Sequence, residues 1–299
     1  MLSHRSSAEK PSRIVVLGAK GFVASGLIRL LSGESIPHRS VGSCEVDLVE
    51  PSAVAKLRDI VQQDDAIVVT SALTPEKGRD RATFLKNVAM IDNLCAVLAE
   101  ILCTQVVYIS SDSVYDARCT VVDEDSCCES DDMYALSHIV REKLLLSACL
   151  SSNVPLTILR PCAIYGAGDT HNSYGPNRFM RTALRDGKIT LFGQGEEQRD
   201  HIYISDVARL IRLCLLHRAA GVLNAATGTS LSFQEVACRV REVSGCDVVV
   251  ESAPRRVPIV HRRFDTRALR QAFPDFEFTP FEGGIRESLV EMSNEPCAM

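Results

Sequence analysis

Two side chains spaced one helical turn apart give the first indication of chemistry in this chain. Tyr134 and His138 lie four positions apart in the segment Met133 to Leu150, which is predicted to be helical, so they share one helix face. A phenol ordinarily ionises near pH 10, and it works as an acid or base near neutral pH only where a cation stabilises the phenolate. Histidine is partially charged near neutral pH, so His138 could supply that charge.

A second group of residues has the spacing of an anion-binding turn. Gly18, Gly21 and Ala24 follow a short β-branched run and accompany the start of a predicted helix, Gly21 to Leu31. Glycines leave room for backbone N–H groups and a helix N-terminus to approach a pyrophosphate. The methyl group of Ala24 is tolerated where the helix packs on the strand. The pattern predicts a dinucleotide site.

Three segments, taken in order, resemble the extended short-chain dehydrogenase/reductase superfamily in its nucleotide-sugar epimerase/dehydratase branch. They are Leu17 to Ala24, Val107 to Tyr115, and the helix start at Tyr134, and the resemblance extends from about residue 13 to 289. It implies an α/β fold of the Rossmann type, with a doubly wound parallel sheet and a smaller mixed C-terminal substrate region. It also implies that Ser111 and Tyr134 form a catalytic pair that shares a proton with a substrate oxygen.

The family's pattern has a lysine where this chain has His138. In the family that lysine stabilises the tyrosine phenolate and holds the nicotinamide ribose. His138 is shorter and only partially charged near neutral pH. Two alternatives therefore stay open. Either Ser111, Tyr134 and His138 catalyse the reaction at a reduced rate, or the site is not catalytic.

The resemblance implies NAD or NADP as the cofactor. Arg39 could pair with the 2′-phosphate of NADP or be a solvated loop charge. Asp47 could contact the adenine or cap the turn before Pro51. The other residues that the resemblance assigns to cofactor binding are Gly18, Lys20, Gly21, Phe22, Val23, Leu48, Ser71, Ala72, Asn87, Tyr134, His138 and Pro161.

A nucleotide-diphosphate sugar is the substrate that the resemblance implies. Asn177 matches a helix start that faces the diphosphate, and Arg199 and Arg255 (or its neighbour Arg256) match arginines that bind it. The predicted substrate contacts at the catalytic end are Ser111, Asp112, Ser113 and Tyr134. His171 is expected to be an exposed loop residue within reach of the sugar.

Strand and helix signals alternate from Arg13 to Arg160, which predicts a parallel sheet with helices on both faces. We expect a Rossmann domain over 13–165 and a mainly substrate-binding region over 166–299. Segments around 201–226 are expected to return to the Rossmann domain, with Val222 to Ala225 as a strand of its sheet. Residues 1–12 are polar and are predicted to be a disordered tail rather than a signal peptide.

Composition excludes several function classes. The chain has 299 residues, 46% hydrophobic and 24% charged, as in an ordinary globular protein, and no apolar run approaches a membrane span. A formal charge of -5 leaves no basic surface for nucleic acid. The twelve cysteines include no Cys-x-x-Cys pair, so no metal site is expected and the reducing cytoplasm is the expected compartment.

The sequence therefore predicts an NAD(P)-dependent epimerase that oxidises a nucleotide-diphosphate sugar to a keto sugar and reduces it again, working as a homodimer. Dehydratases of the family carry an Asp-Glu pair where this chain has Asp112 and Ser113, which argues against loss of water. Two alternatives stay open. One is an NADPH-dependent 4-keto-sugar reductase, favoured by Arg39. The other is a catalytically impaired cofactor-binding protein, favoured by His138.

Overall fold

A computed structural model describes residues 2–169, 171–245, 247–255 and 258–294, and its centre is a six-stranded parallel sheet. The strands are β1 (Arg13–Leu17), β2 (His38–Val41), β3 (Asp65–Val69), β4 (Gln105–Ile109), β6 (Leu156–Pro161) and β10 (Gly221–Ala225). Their spatial order is β2-β1-β3-β4-β6-β10. Every residue of β3 and β4 is buried, as in a parallel sheet covered on both faces.

Helices cover both faces of the sheet. They are α1 (Phe22–Gly33), α2 (Ala53–Ile60), α3 (Arg81–Leu98), α4 (Met133–Ser151) and α6 (Ile204–Leu216). Successive residues of a strand point to opposite faces, and β1 shows this directly. Ile14 and Val16 belong to the core under α1 and α6, whereas Val15 and Leu17 belong to the core under α2, α3 and α4. Helix α4, which carries Tyr134 and His138, therefore packs on the second face.

Smaller elements form the C-terminal part. Short sheets pair β5 (Val121–Val122) with β13 (Arg263–Phe264), β8 (Lys188–Phe192) with β12 (Val249–Ala253), and β9 (Gln198–Tyr203) with both β7 (Ala163–Tyr165) and β11 (Ser230–Ser232). The helices are α5 (Pro176–Asp186), α7 (Phe233–Ser244), α8 (Arg267–Ala272) and α9 (Phe281–Asn294). A separate apolar core, which includes Phe179, Phe233 and Ile285, holds this part together.

The predicted α/β fold with a parallel sheet is confirmed, and so is the return of residues 222–225 to the main sheet, where β10 pairs with β6. The division at residue 165/166 stays a prediction. The first residues differ from the predicted disordered tail, because Ser3 forms a bridge with Ala220 and the amide of Glu9 donates to the carbonyl of Leu216. The reason is that the last carbonyls of α6 need donors, and this segment supplies them.

The strand order reverses between β1 and β3, and open parallel sheets bind ligands outside the carboxyl ends of their strands at such a point. Tyr134 and the loops after β1, β3 and β4 meet there. Within the described residues, no helix combines the length and the apolar character that crossing a membrane would require.

Candidate active site

The turn between β1 and α1 is shaped for a close ligand. Gly18 adopts φ +96°, and a Cβ atom there would lie 2.7 Å from the backbone nitrogen of Ser71, so only glycine fits. Gly21 is exposed and donates its amide to the carbonyl of Gly18 at 2.9 Å. It is the N-cap of α1, so the first-turn amides of that helix are not covered by a capping side chain. This end of α1 can therefore accept a phosphate group.

A cavity of about 410 Å³ lies beside this turn and reaches the predicted catalytic residues. The predicted site residues that line it are Gly21, Phe22, Val23, Ala72, Ser111, Asp112, Tyr134, His138 and Pro161. Those that the described structure does not bring to its walls are Gly18, Lys20, Arg39, Asp47, Leu48, Ser71, Asn87, Ser113, Asn177, Arg199 and Arg255. Strand ends and a helix face thus bring residues together from well-separated stretches of the chain.

The outer residues predicted to bind the cofactor have other partners. Arg39 is exposed and forms an ion pair with Glu45, and the Asp47 carboxylate accepts a 3.0 Å hydrogen bond from the amide of Val49. Leu48 is buried in the core, and the Lys20 ammonium lies 3.3 Å from the Cys44 sulfur. In the structure, Asp47 therefore caps its turn and Arg39 is paired with Glu45 at the surface.

Asn87 is buried and shapes the loop after β3. Its side-chain oxygen accepts from the amide of Leu73 at 2.7 Å, and its side-chain nitrogen donates to the carbonyl of Leu73 at 2.9 Å. Both ends of the amide group are therefore used within the protein. In the structure, Asn87 fixes the loop that carries Ala72.

Ser111 and Tyr134 meet at the wall of the cavity. The Ser111 hydroxyl accepts from the amide and the hydroxyl of Ser113, at 3.2 and 2.9 Å. Tyr134 begins α4, where the N-cap Asp132 accepts from its amide at 2.9 Å. Burial raises the pKa of Tyr134 to about 12, while the nearby Arg141 and a hydrogen bond with Ser111 act in the opposite direction. The phenol is therefore protonated near neutral pH in the absence of ligands.

His138 is neutral in the structure. It is 1% exposed, and burial followed by the charge of Arg141 holds its pKa well below the usual value of 6.5. Its Nδ1 atom lies 2.7 Å from the hydroxyl of Tyr108, and its ring meets the Tyr134 ring edge-on with the ring centres 4.7 Å apart. The sequence prediction of a partially charged imidazole is wrong, because burial and the positive charge of the neighbouring Arg141 both disfavour the protonated ring.

The neighbouring cation, Arg141, was not predicted from the sequence to belong to the site. Arg141 is fully buried, and its Nη2 atom donates to the carbonyl of Ser71. Its guanidinium carbon lies 5.1 Å from the centre of the Tyr108 ring. Positions 134, 138 and 141 are spaced four and three apart, which places all three on one face of α4. That spacing is visible in the sequence, but the burial of position 141 is not.

A buried polar network holds the strand ends behind the cavity. Glu142 forms a two-point ion pair with Arg160, at 3.0 and 2.7 Å, and accepts from the Ser110 hydroxyl at 2.5 Å. Arg160 also donates to the Tyr115 hydroxyl at 3.0 Å, and that hydroxyl donates to Asn224 at 2.7 Å. The network joins α4 to β4, β6 and β10, and it fixes Ser110 next to Ser111.

The residues predicted to bind a diphosphate are engaged in the protein. Arg199 pairs with Glu197 at 2.5 Å, and Arg255 pairs with Glu196 at 2.7 Å. Asn177 is buried, accepts from the amide of Gly166 at 2.9 Å and donates to Asp169 at 2.9 Å. Asn177 therefore orders the loop after β7. Its predicted contact with a ligand stays a prediction. Arg256 lies outside the described residues.

Two further side chains lie at the cavity wall: Asp112, a predicted substrate contact, and His171, which was expected to be an exposed loop residue. His171 is partly buried, and its Nδ1 atom contacts the Glu76 carboxylate and lies 3.3 Å from the Thr74 hydroxyl. This contact joins the loop after β3 to the loop after β7. Asp112 also lines the cavity, and burial raises its pKa, opposed by the charges of Arg262 and Arg199.

Comparisons with known proteins agree with this geometry. The model of the NAD dependent epimerase/dehydratase family matches residues 14–226, more than half of the chain. The UDP-glucose 4-epimerase of Azospirillum brasilense is 27% identical over 282 residues, covering 82% of this chain and 81% of that protein.

Solved structures resemble the fold along almost its whole length. A GDP-L-fucose synthetase from Naegleria fowleri bound to NADP has a TM-score of 0.84 at 17% identity, covering 97% of each chain. A UDP-glucose 4-epimerase from Thermus thermophilus in complex with NAD has a TM-score of 0.83 at 19% identity, covering 95% of this chain and 100% of that one.

Proposed function

Since the chain belongs to the NAD dependent epimerase/dehydratase family, we propose that it epimerises a nucleotide-diphosphate sugar with bound NAD or NADP. One observation carries the proposal: the glycine turn of α1 and the pair Ser111 and Tyr134 line the same cavity. A dinucleotide whose pyrophosphate lies at Gly21 would extend along this cavity toward Tyr134. Relatives whose names identify them as nucleotide-sugar epimerases support the substrate class.

The cofactor supplies a hydride acceptor and donor, and the chain's own groups manage the proton. Tyr134, once ionised, removes the proton of a sugar hydroxyl as the carbon beneath it is oxidised to a ketone. Ser111 donates a hydrogen bond to the same oxygen. After the keto sugar rotates in the site, Tyr134 returns the proton while the ketone is reduced on its other face. His138 and Pro161 line the cavity beside this pair and orient the ligands.

Recognition of the sugar nucleotide is proposed to use Arg199 and Arg255. Both arginines are partly buried and pair with neighbouring glutamates, so a diphosphate would bind by exchanging with Glu197 and Glu196. Arginine suits this exchange because its planar fork binds carboxylate and phosphate oxygens in the same geometry. Asp112 lines the cavity near Tyr134 and is available to a sugar hydroxyl.

A second candidate function is one-way reduction of a 4-keto sugar by NADPH. One observation favours it: Arg39 is exposed on β2, where a 2′-phosphate could displace Glu45. The two functions differ in the state of the purified protein. An epimerase retains its cofactor through the cycle, whereas a reductase releases it after each turnover.

The test begins with release of nucleotide from the purified, denatured protein and its identification by mass spectrometry. The protein is then incubated with UDP-, GDP-, dTDP- and CDP-sugars, and the epimers are separated by chromatography. Retained NAD and epimer formation are expected. Tyr134→Phe should abolish turnover, and Tyr203→Phe, the same change at a buried tyrosine away from the cavity, should not. Empty protein that consumes NADPH with a keto sugar would replace epimerisation by reduction. Full activity in Tyr134→Phe would overturn both.

A further inference from the structure

Arg141 is an unusual arginine for a protein interior. Its relative exposure is 0%, and among the described residues it forms no ion pair. The carbonyl of Ser71 accepts from one nitrogen, while Nε and Nη1 have no hydrogen-bond partner in the described structure. Its neighbour Glu142, the nearest acid along the helix, is already paired with Arg160.

A charge buried in this way works against folding. An isolated ion loses its hydration in the interior, and an apolar side chain of similar volume is commonly the more stable choice. Arg160 shows the ordinary solution, since its guanidinium is held at two points by Glu142 and also reaches Tyr115. Arg141 lacks that compensation, so the stability of the fold does not account for it.

The position of Arg141 relates it to the candidate acid/base. It follows Tyr134 by two helical turns and His138 by one, on the same face of α4. The Tyr108 ring lies against the guanidinium, and the Tyr108 hydroxyl contacts His138 at 2.7 Å. His138 in turn packs edge-on against Tyr134. Arg141, Tyr108, His138 and Tyr134 thus form a continuous row from the interior to the cavity.

We propose that Arg141 supplies the fixed positive charge that stabilises the Tyr134 phenolate from behind His138. The inference rests on the proposed function of Tyr134 and assigns to Arg141 the electrostatic part of the lysine's work at position 138 of the family pattern. Arg141 does not line the cavity, so it is a positioning and electrostatic residue rather than a catalytic one.

His138 keeps the other part of that work as a neutral hydrogen-bond donor. Burial raises the pKa of Tyr108, so its phenol stays protonated and can donate to Nδ1 of His138. The remaining proton of the neutral ring then resides on Nε2, which has no partner in the described structure. His138 lies at the cavity wall, and its buried Nε2 is the ring atom that remains free to donate to a ligand.

The other charges near Tyr134 do not replace Arg141. Asp112 and Glu76 both act to raise the pKa of the phenol. Arg79 lines the cavity but pairs with Asp132 at 2.6 Å, and Arg160 is paired with Glu142. Within the described residues, Arg141 is therefore the charge that does most to lower the pKa of Tyr134.

The test measures the ionisation of residue 134 directly. A ring-fluorinated tyrosine, which ionises at lower pH than tyrosine, is placed at position 134, and its fluorine resonance is followed against pH in the full chain. Arg141→Met should raise the pKa of residue 134 by roughly 1 to 3 pH units, the size expected for loss of a nearby opposite charge. Arg141→Lys should stay much closer to the parent protein. Lys143→Met, which removes an exposed charge from the same helix, should cause no shift.

Thermal unfolding gives the second measurement. Arg141→Met should unfold at the same temperature as the parent or higher, because it removes an uncompensated buried charge. A variant that unfolds earlier or fails to fold, or a resonance whose titration does not move, would overturn the proposal. The titration needs neither cofactor nor sugar. A shift as expected without turnover of any sugar would thus contradict the proposed function alone, and turnover without a shift would contradict the role of Arg141 alone.

Discussion

The hydroxyl of Tyr108 and the Nδ1 atom of His138 lie 2.7 Å apart in the interior, between β4 and α4. Burial favours the uncharged form of both groups, raising the pKa of Tyr108 and lowering that of His138. The imidazole at the position of the family's lysine therefore contributes a fixed hydrogen bond instead of a charge. On our proposal the charge comes from Arg141, one turn further along α4.

This arrangement predicts the result of restoring the lysine. In His138→Lys the new ammonium would be buried beside Arg141, so we expect a lower unfolding temperature and little gain in turnover. Adding Arg141→Met leaves one cation in the row, and the double variant should recover the unfolding temperature and act at a lower pH than Arg141→Met alone. Thermal unfolding and pH-dependent turnover on the sugar panel measure this coupling. Equal stability and faster turnover in His138→Lys alone would contradict it.

Gly21→Val should weaken cofactor binding and leave the fold intact. The backbone of Gly21 has φ -76°, which any residue adopts, and the added Cβ meets only the Gly18 carbonyl, at 3.2 Å. The side chain would stand over the first-turn amides that a pyrophosphate needs. Calorimetric titration with NAD and NADP measures the loss. Gly33→Val, at the other end of α1 with open space around its Cβ, is the matched control. Equal affinities in both variants would remove the assignment.

Arg199→Ala should weaken a nucleotide-diphosphate sugar more than it weakens the cofactor. Loss of a charge-assisted hydrogen bond to phosphate costs about 1.5–3 kcal/mol, which is about 10- to 150-fold in Kd. Arg185→Ala is the control, because Arg185 is exposed and pairs only with its neighbour Asp186 among the described residues. Calorimetric titration with both ligands compares the two variants. If Arg199→Ala changes neither affinity or both alike, Arg199 serves only its contacts within the protein, with Glu197 and the carbonyl of Val260.

Sequence patterns were sufficient where one local signal decides the structure. The glycine spacing of Gly18 and Gly21 predicted the turn, and β-branched runs and helical periodicity predicted the main sheet and its helices. The strands β7, β9 and β11 were not predicted as such, because they are short and their stability comes from mutual pairing. The neutral state of His138 could not be predicted, since it depends on Tyr108 and Arg141, which reach it only in the folded chain.

The last prediction concerns a second buried histidine, His201 on β9. It is 5% exposed, both ring nitrogens lack partners in the described structure, and its ring lies about 6 Å from those of Phe233 and Phe281. Burial, followed by the charge of Arg199, lowers its pKa from 6.5 to about 3. Between these two pH values the unfolded chain binds the proton and the folded chain does not. Stability must therefore fall as pH falls below about 6.5.

At pH 5 this group alone should cost about 2 kcal/mol relative to pH 8. His201→Phe continues the aromatic cluster without a titratable group, so it should unfold less readily in acid, and its advantage over the parent should grow from pH 7 to pH 5. Denaturant unfolding at a series of pH values measures the difference in slope. His38→Phe, the same change at a half-buried histidine whose Nδ1 contacts the carbonyl of Ile36, is measured alongside it at the same pH values. If His201→Phe keeps the parent's slope, His201 is not neutral and unpaired in the folded protein.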